Sequence, residues 1–195
     1  VDTICEAGQL PNIIGGGHNN AYGNLKGLCK AKGQSINVLN IDAHTDLRTT
    51  DFRHSGNGFS LAYEENYIEY YTVFGLHKNY TPDYIFKSLN SSKYMDYVLF
   101  EGFYDVQDAR QHYQECLGHI AKLPFGIELD CDAIANFPSS AQTPSGFSLE
   151  QIREFLRLAS VEENLGYIHI CEAKPSTHYN VGKALSYLVS DIIQQ

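Results

Sequence analysis

Six side chains that commonly bind metal ions lie in three short motifs of this 195-residue sequence. They are His18, Asp42, His44, Asp46, Asp130 and Asp132. Two imidazoles and four carboxylates suit Mn2+ or another divalent cation, and six such groups are enough to hold two ions side by side. Two ions that share a water molecule lower its pKa from about 15.7 toward neutrality, which produces a hydroxide nucleophile. The residue types therefore predict a metal-dependent hydrolase.

The spacing of Asp42, His44 and Asp46 indicates one shared site. These residues follow the apolar stretch 36–41 at intervals of two. In extended backbone, alternate side chains face the same side of the chain, so we expect the three side chains to converge. The alternative interpretation is a polar loop whose spacing is accidental, and the concentration of ligand types argues against it.

Asp130 and Asp132 repeat this arrangement after the apolar stretch 125–129, with the side chain of Cys131 predicted to turn away. Two carboxylates so close together repel each other unless a cation lies between them, although a surface turn is the alternative for an isolated pair. His18 follows three consecutive glycines. Such glycines can also form a phosphate-binding loop, but the sequence has neither the GxxxxGK[S/T] nor the GxGxxG pattern.

Short apolar stretches run into these candidate residues. The predicted strands cover residues 12–14, 36–41, 71–76, 97–100, 125–129 and 167–171. Near-continuous apolar strands are typical of a parallel sheet that is buried on both faces. The predicted helices cover residues 19–32, 104–122, 148–158 and 180–193. This alternation predicts an α/β fold, in which ligands bind beyond the carboxyl ends of the strands, and every metal-ligand candidate lies at such an end.

The bulk composition limits the class of protein. The length of 195 residues predicts a single domain over 1–195. The formal net charge of −9 argues against nucleic acid or an anionic membrane as the main partner. The five cysteines are odd in number and lack CxxC spacing, which favours reduced thiols in the cytoplasm over a disulfide framework.

Together the motifs resemble the ureohydrolase superfamily, which contains arginase, agmatinase and formimidoylglutamase. They occur in order as GGGH, DAHTD, a Ser-Gly-Asn loop, ELDCD, TPSG and Glu-x-x-Pro, and they span nearly the whole chain. The resemblance implies a three-layer α/β/α sandwich, two Mn2+ ions and hydrolysis of a C–N bond in a small amidino or guanidino substrate. It also implies a homo-oligomer, either a trimer or a hexamer. Because these proteins have strands before the GGGH motif, we expect this chain to lack its N-terminal strands.

The resemblance also assigns roles to the six ligands. His18 and Asp132 match terminal ligands of opposite ions, and His44 matches a further terminal ligand. The remaining carboxylates, at least two of which bridge the ions, are Asp42, Asp46 and Asp130.

Two further roles follow from the same resemblance. Glu172 matches the glutamate that pairs with the cationic amidinium of the substrate; the alternative interpretation is a carboxylate in a surface loop. Asp46 or Asp130 is expected to accept the remaining proton of the hydroxide and pass it to the leaving nitrogen. His77 and Glu101 also follow apolar stretches but match no ligand, so we expect them to play a supporting or structural part.

The loop at residues 53–60 bears on the substrate. No histidine follows its Ser-Gly-Asn, which counts against arginase, and its His-Ser-Gly-x-x-Phe pattern resembles formimidoylglutamase, the histidine-degradation enzyme that releases formamide and glutamate. Such a substrate has two carboxylates, for which Arg53 and Asn57 are the candidate partners and Arg48 is less favoured. For Arg53, a solvated position in the loop is the alternative.

Three other functions stay open from the sequence. The protein could act on a guanidine, as arginase or agmatinase does, or on a different amidino acid. It could also be a non-catalytic metal-binding subunit. The presence of all six ligand candidates together with Glu172 argues against a non-catalytic protein.

Overall fold

A single parallel sheet forms the centre of the protein. The computed structural model describes residues 1–194. The strands are β1 (Asn12–Ile14), β2 (Ile36–Ile41), β3 (Ile68–Leu76), β4 (Met95–Leu99), β5 (Phe125–Asp130) and β6 (Leu165–Cys171). Their order across the sheet is β1-β6-β5-β2-β3-β4, and each neighbouring pair is parallel. The central strands β2, β5 and β6 are buried almost throughout, as their apolar sequences predict.

Helices cover both faces of this sheet. They are α1 (Asp2–Glu6), α2 (Asn20–Lys32), α3 (Gly58–Glu64), α4 (Asp83–Ser91), α5 (Val106–Ile120), α6 (Leu149–Ser160) and α7 (Val181–Ile193). Buried side chains of α2, α3 and α4 share one apolar core with the sheet, and those of α5, α6 and α7 share the other. The predicted three-layer α/β/α sandwich is therefore confirmed.

The second core is rich in aromatic rings. Phe74 of β3 stacks on Phe147 at a centroid distance of 5.4 Å and meets Tyr113 and Phe155 edge-on. All four rings are almost fully buried. Burying a side chain of this size contributes about 1.5–3 kcal/mol, so this cluster holds α5 and α6 firmly on the sheet.

Most predicted elements are confirmed within one or two residues. Helix α2 ends at Gly33, whose φ of 67° lies in the left-handed region that favours glycine. Helix α6 begins with a capping box in which Ser148 and Gln151 each satisfy a backbone amide of the other. The prediction that Phe100 extends β4 is wrong, because this residue begins a short 3-10 turn. Helices α3 and α4 were not predicted, since both are short, at seven and nine residues.

No helix in the part of the chain that the structure describes is long and apolar enough to cross a membrane.

Two arginines of α6 bind one aspartate of α7. Arg153 Nε and Arg157 Nη1 lie 2.6 Å and 3.1 Å from the Asp191 carboxylate. These hydrogen bonds, with that from Arg153 the stronger influence, hold the pKa of Asp191 below its usual value. The contact therefore ties together two helices that cover the same face of the sheet.

We expect Asp191→Asn to lower the free energy of unfolding at neutral pH by about 1 kcal/mol, since a partly exposed ion pair is weakened by solvent. Because the folded-state pKa is depressed, this contribution is present above the unfolded value of about 3.9 and is lost as the pH falls through the folded value. Urea unfolding of both proteins at about pH 7 and about pH 3 measures it. An equal difference at both pH values would contradict the ion-pair explanation.

Candidate metal centre

The six predicted ligands converge at the carboxyl end of the sheet. His18 follows β1, the residues of the DAHTD motif follow β2, and Asp130 and Asp132 lie where β5 ends. Their donor atoms form two overlapping groups, and within each group the atoms lie within 4.8 Å of one another. The groups are His18, Asp42, Asp46 and Asp130 on one side, and Asp42, His44 and Asp132 on the other. Each group could hold a metal ion, and Asp42 belongs to both.

A glycine turn directs His18 into the sheet edge. Gly15 and Gly16 have φ angles of 97° and 84°, which L side chains rarely adopt. A Cβ atom on Gly16 would also lie 2.2 Å from the side-chain nitrogen of Asn20. The turn therefore requires glycine, and it places the imidazole of His18 in a fully buried position.

The DAHTD motif reaches the site by a turn and not in extended conformation. Strand β2 ends at Ile41, the carboxylate of Asp42 accepts a 2.8 Å hydrogen bond from the amide of His44, and Asp46 has a left-handed φ of 47°. The hydroxyl of Tyr71 donates a 2.6 Å hydrogen bond to the carbonyl of Thr45 and fixes this turn. The prediction of convergence through an extended backbone is therefore wrong, because the side chains meet through a strained turn.

The second carboxylate pair also lies in a turn. Asp130 accepts a 2.9 Å hydrogen bond from the amide of Asp132, and a short 3-10 turn spans Cys131–Ala133. The side chain of Cys131 packs in the apolar core, as predicted. At the end of the adjacent strand, Cys171 lies close enough to His18 and Asp130 to form a further donor group, which the sequence analysis did not identify.

The surroundings of His18 fit a bound cation. Its Nδ1 atom lies 3.0–3.3 Å from carboxylate oxygens of Asp42, Asp46 and Asp130. Neither ring nitrogen makes a hydrogen bond to any residue within 1–194. Donors at bond lengths of about 2.1 Å around an octahedral ion are themselves about 3 Å apart. A buried imidazole facing three carboxylates at this spacing therefore matches the donor set of a metal ion.

His44 completes the other donor group. Its Nδ1 atom lies 3.2 Å from Asp132 and 3.4 Å from Asp42. The ring of Tyr80 stacks on the His44 imidazole at 5.3 Å, and its hydroxyl bonds to the Thr143 hydroxyl of the TPSG loop at 3.1 Å. Tyr80 could not be predicted as part of the site, because it follows no predicted strand and belongs to no motif.

The charges of the site raise the pKa of several carboxyl groups. Burial and the charge of Asp42 raise the pKa of Asp46 to about 6 and that of Asp130 to about 7. Burial and the charges of Asp42 and Asp130 raise the pKa of Asp132 to about 8. Burial alone would lower the pKa of His44, but its contacts with Asp132 and Asp42 raise it to about 11. Clustered carboxylates of this kind are stabilised by a cation.

A cavity of about 90 Å³ opens beside the donor atoms. Glu172 and Arg48 line it, together with most of the ligand candidates. One carboxylate oxygen of Glu172 accepts a 2.8 Å hydrogen bond from the amide of His18, and the residue has a left-handed φ of 62°. The structure thus brings the carboxylate of Glu172 to the same opening as the donor groups.

The structure does not bring the favoured substrate-binding candidates to this cavity. The Arg53 guanidinium lies over the ring of Tyr22 and donates a hydrogen bond to the carbonyl of Asn19. Asn57 is fully buried, and its amide group bonds to backbone atoms within its own loop. Arg48, the less favoured candidate, is the arginine that lines the cavity.

The two other strand-end residues have structural contacts, in line with the supporting part expected of them. The imidazole of His77 stacks between Tyr80 and Phe100, at centroid distances of 5.4 Å and 4.9 Å. Glu101 accepts a hydrogen bond from the amide of Lys78 at 3.1 Å. His77 therefore supports the ring that covers His44.

Comparison with known protein families identifies the family of this chain. A sequence model of the arginase family matches residues 1–195. The chain therefore belongs to the arginase family.

Two formimidoylglutamases are similar in sequence to this chain. A formimidoylglutamase from Macrococcus caseolyticus (strain JCSC5402) is 31% identical over 197 residues, covering 99% of this chain and 61% of the relative. A formimidoylglutamase from Corynebacterium efficiens is 25% identical over 185 residues, covering 92% of this chain and 58% of the relative. The chain thus spans about three fifths of the length of these curated relatives.

Solved structures share the fold. The crystal structure of Trypanosoma cruzi formiminoglutamase with Mn2+ has a TM-score of 0.85 at 18% identity, covering 97% of this chain and 66% of that one. The formimidoylglutamase of Bacillus subtilis has a TM-score of 0.83 at 18% identity, covering 98% of this chain and 63% of that one. These matches support the α/β fold of this chain.

We expect the affinity for a divalent cation to rise with pH between about 6 and 8. In the metal-free protein the pKa values of Asp46, Asp130 and Asp132 are raised to about 6, 7 and 8, so a cation must displace protons below these values. Calorimetric titration in buffers of different ionisation enthalpy measures the protons released. An affinity that stays constant from pH 6 to pH 8 would contradict this account of the site.

Proposed function

We propose that the protein hydrolyses N-formimidoyl-L-glutamate to formamide and glutamate, using two Mn2+ ions. The observation that carries the proposal is the pair of donor groups that share Asp42, with Glu172 on the same cavity. The formimidoylglutamases among the relatives support this substrate, and the Mn2+ of the T. cruzi structure supports this metal.

The ions would be held by the two donor groups, with Asp42 shared between them. Bound there, they would supply Lewis-acid chemistry that makes water nucleophilic at neutral pH. The four carboxylates of the groups balance the charge of the cations, which is why so many acidic groups are tolerated in a buried position. Asp42 is fully buried, so it would help to hold the cations and would not contact the substrate.

The residues at the opening would handle the substrate. Glu172 pairs with the cationic amidinium, because its carboxylate is fixed at the cavity by the amide of His18. The Asp46 side chain is 12% exposed and lines the cavity, so it can take a proton from the attacking water and pass it to the glutamate nitrogen as the C–N bond breaks. Asp130, at 5% exposure, is the second candidate for this proton transfer.

Arg48 is our candidate for recognition of a substrate carboxylate. It lines the cavity, and its side chain lies against Gly56, where an added Cβ atom would be 3.1 Å from the arginine Cδ. Its amide bonds to the carbonyl of Gly56, so the loop that carries Ser55 is tied to the arginine. A guanidinium offers two parallel donors to a carboxylate, which matches a dicarboxylate substrate better than a cationic guanidino compound.

We also propose that the protein is located in the cytoplasm and forms a trimer or hexamer. All five cysteines are free thiols, which supports a reducing compartment such as the cytoplasm. The trimer or hexamer rests on the family resemblance.

A substrate panel tests the proposed reaction. The Mn2+-loaded protein is assayed with formimidoylglutamate, arginine, agmatine and guanidinobutyrate, with and without a chelator. We expect turnover of formimidoylglutamate, lost on chelation and restored by Mn2+. Turnover of arginine or agmatine instead would support metal-dependent hydrolysis and contradict the proposed substrate. Two bound ions without any turnover would favour a non-catalytic metal-binding role.

Arg48→Ala, compared with Arg53→Ala, tests carboxylate recognition. We expect Arg48→Ala to lower kcat/KM about 10- to 100-fold, mainly through KM, because a charge-assisted contact to the substrate is lost. Arg53→Ala is the matched control, since its guanidinium contacts Tyr22 and Asn19 and not the cavity. A larger loss in Arg53→Ala than in Arg48→Ala would reverse the assignment.

A further inference from the structure

A second layer of buried polar side chains lies directly beneath the metal-ligand candidates. Asn40 of β2, Glu128 of β5 and His169 of β6 are register partners across neighbouring strands. Each of the first two stands two residues before a ligand candidate, Asp42 or Asp130, and alternate residues of a strand face the same side. All three second-layer side chains are fully buried.

Three hydrogen bonds fix the carboxylate of Glu128. The Tyr167 hydroxyl donates to Oε1 at 2.7 Å, and the side-chain amide of Asn24 donates to the same oxygen at 3.2 Å. The Nδ1 atom of His169 lies 2.5 Å from Oε2, and its Nε2 atom lies 3.2 Å from the carbonyl of Gly15. A buried carboxylate that is held so completely has a defined position and orientation.

The backbone is also adapted to this network. Gly126 is the register partner of Tyr167 on the neighbouring strand. A Cβ atom on Gly126 would lie 2.2–2.6 Å from the phenol ring, so a side chain there would push the Tyr167 hydroxyl away from Glu128. Glycine inside a central strand costs stability, and here it makes room for the phenol.

The Oε2 atom of Glu128, which contacts His169, also faces the far side of the His18 ring. Glu128 Oε2 lies 3.6 Å from Nε2 of His18, whereas Nδ1 of the same ring faces the carboxylates of the donor group. The ring is held edge-on against Phe59 at a centroid distance of 5.1 Å. A histidine that binds a metal usually donates its other ring N–H to a carboxylate or carbonyl, and this fixes its tautomer.

We propose that Glu128 is a positioning residue for His18. The negative charge of its carboxylate, 3.6 Å from Nε2, keeps the proton on Nε2, so that the lone pair of Nδ1 faces the cation. Tyr167, Asn24 and His169 in turn hold Glu128, which does not itself bind the ion. This role of Glu128 rests on the proposed metal centre. The carboxylate of Glu128 has no part in the proposed reaction itself.

Glu128→Gln tests the proposal, because it keeps the shape of the side chain and removes its charge. Mn2+ binding is measured by calorimetry in competition with a chelator of known affinity. The wild-type protein is expected to bind two ions. In Glu128→Gln we expect one ion, that of the His18 group, to bind about 10- to 100-fold more weakly. The ion of the His44 group is expected to change less than threefold.

Asn37→Ala is the matched control for a merely structural effect. Asn37 is also a buried polar residue of a central strand, and its amide donates a 2.8 Å hydrogen bond to the carbonyl of Ile120. It precedes Asp42 by five residues, or about 16 Å of extended chain. We expect Asn37→Ala to lower the unfolding temperature and to leave the affinity for both ions unchanged.

Unchanged affinity for both ions in folded Glu128→Gln would overturn the positioning role while leaving the metal centre intact. Failure of the wild-type protein to bind Mn2+ would instead overturn the proposed function, and this inference with it. If Glu128→Gln does not fold, Tyr167→Phe replaces it, since this change removes one hydrogen bond to Glu128 and keeps the charge. There we expect about a fivefold weakening of the same ion, and unchanged affinity contradicts the proposal.

Discussion

The structure depends on one electrostatic constraint, which is that several carboxylates lie together at the buried edge of an apolar sheet. Asp42, Asp130 and Asp132 are nearly inaccessible to solvent, and Asp46 is only slightly more exposed. Their mutual repulsion and desolvation are unfavourable unless cations are present. The apolar layers on both faces of the sheet must therefore hold these groups in place, and cations are the natural counter-charge.

The parallel sheet is well suited to this task. All six strands point the same way, so residues that follow different strands meet at one edge even when they are more than a hundred positions apart in sequence. The aromatic core around Phe74 anchors the strands from one face. The left-handed backbone conformations of Asp46 and Glu172 then direct their side chains toward this edge of the sheet, where a regular strand would not place them.

The sheet and the convergence of the ligand candidates at its edge could be predicted from sequence, because each candidate lies at or shortly after the end of an apolar strand. The conformation of Asp46 could not, since the spacing of two fits both extended backbone and a turn. Which of Arg48 and Arg53 lies at the cavity could not be predicted either. Both residues lie in loops, where sequence periodicity does not indicate the direction of a side chain. Only the three-dimensional contacts show that Arg53 lies over a tyrosine ring and that Arg48 lines the cavity.

The second layer shows a further limit of sequence analysis. Glu128 and His169 interrupt strands that otherwise read as apolar, and nothing in the sequence pairs them. In the structure they are register partners beneath the ligands, so the polar layer is a property of the sheet and not of either strand. It links the stability of the central strands to the orientation of His18.

Two cations that share Asp42 would be detected by anomalous X-ray diffraction from crystals of the Mn2+-loaded protein. We expect two manganese peaks, about 3.5–4 Å apart, one beside His18 and the other beside His44, with Asp42 contacting both. A single peak, or a second peak beyond the reach of Asp42, would contradict this arrangement.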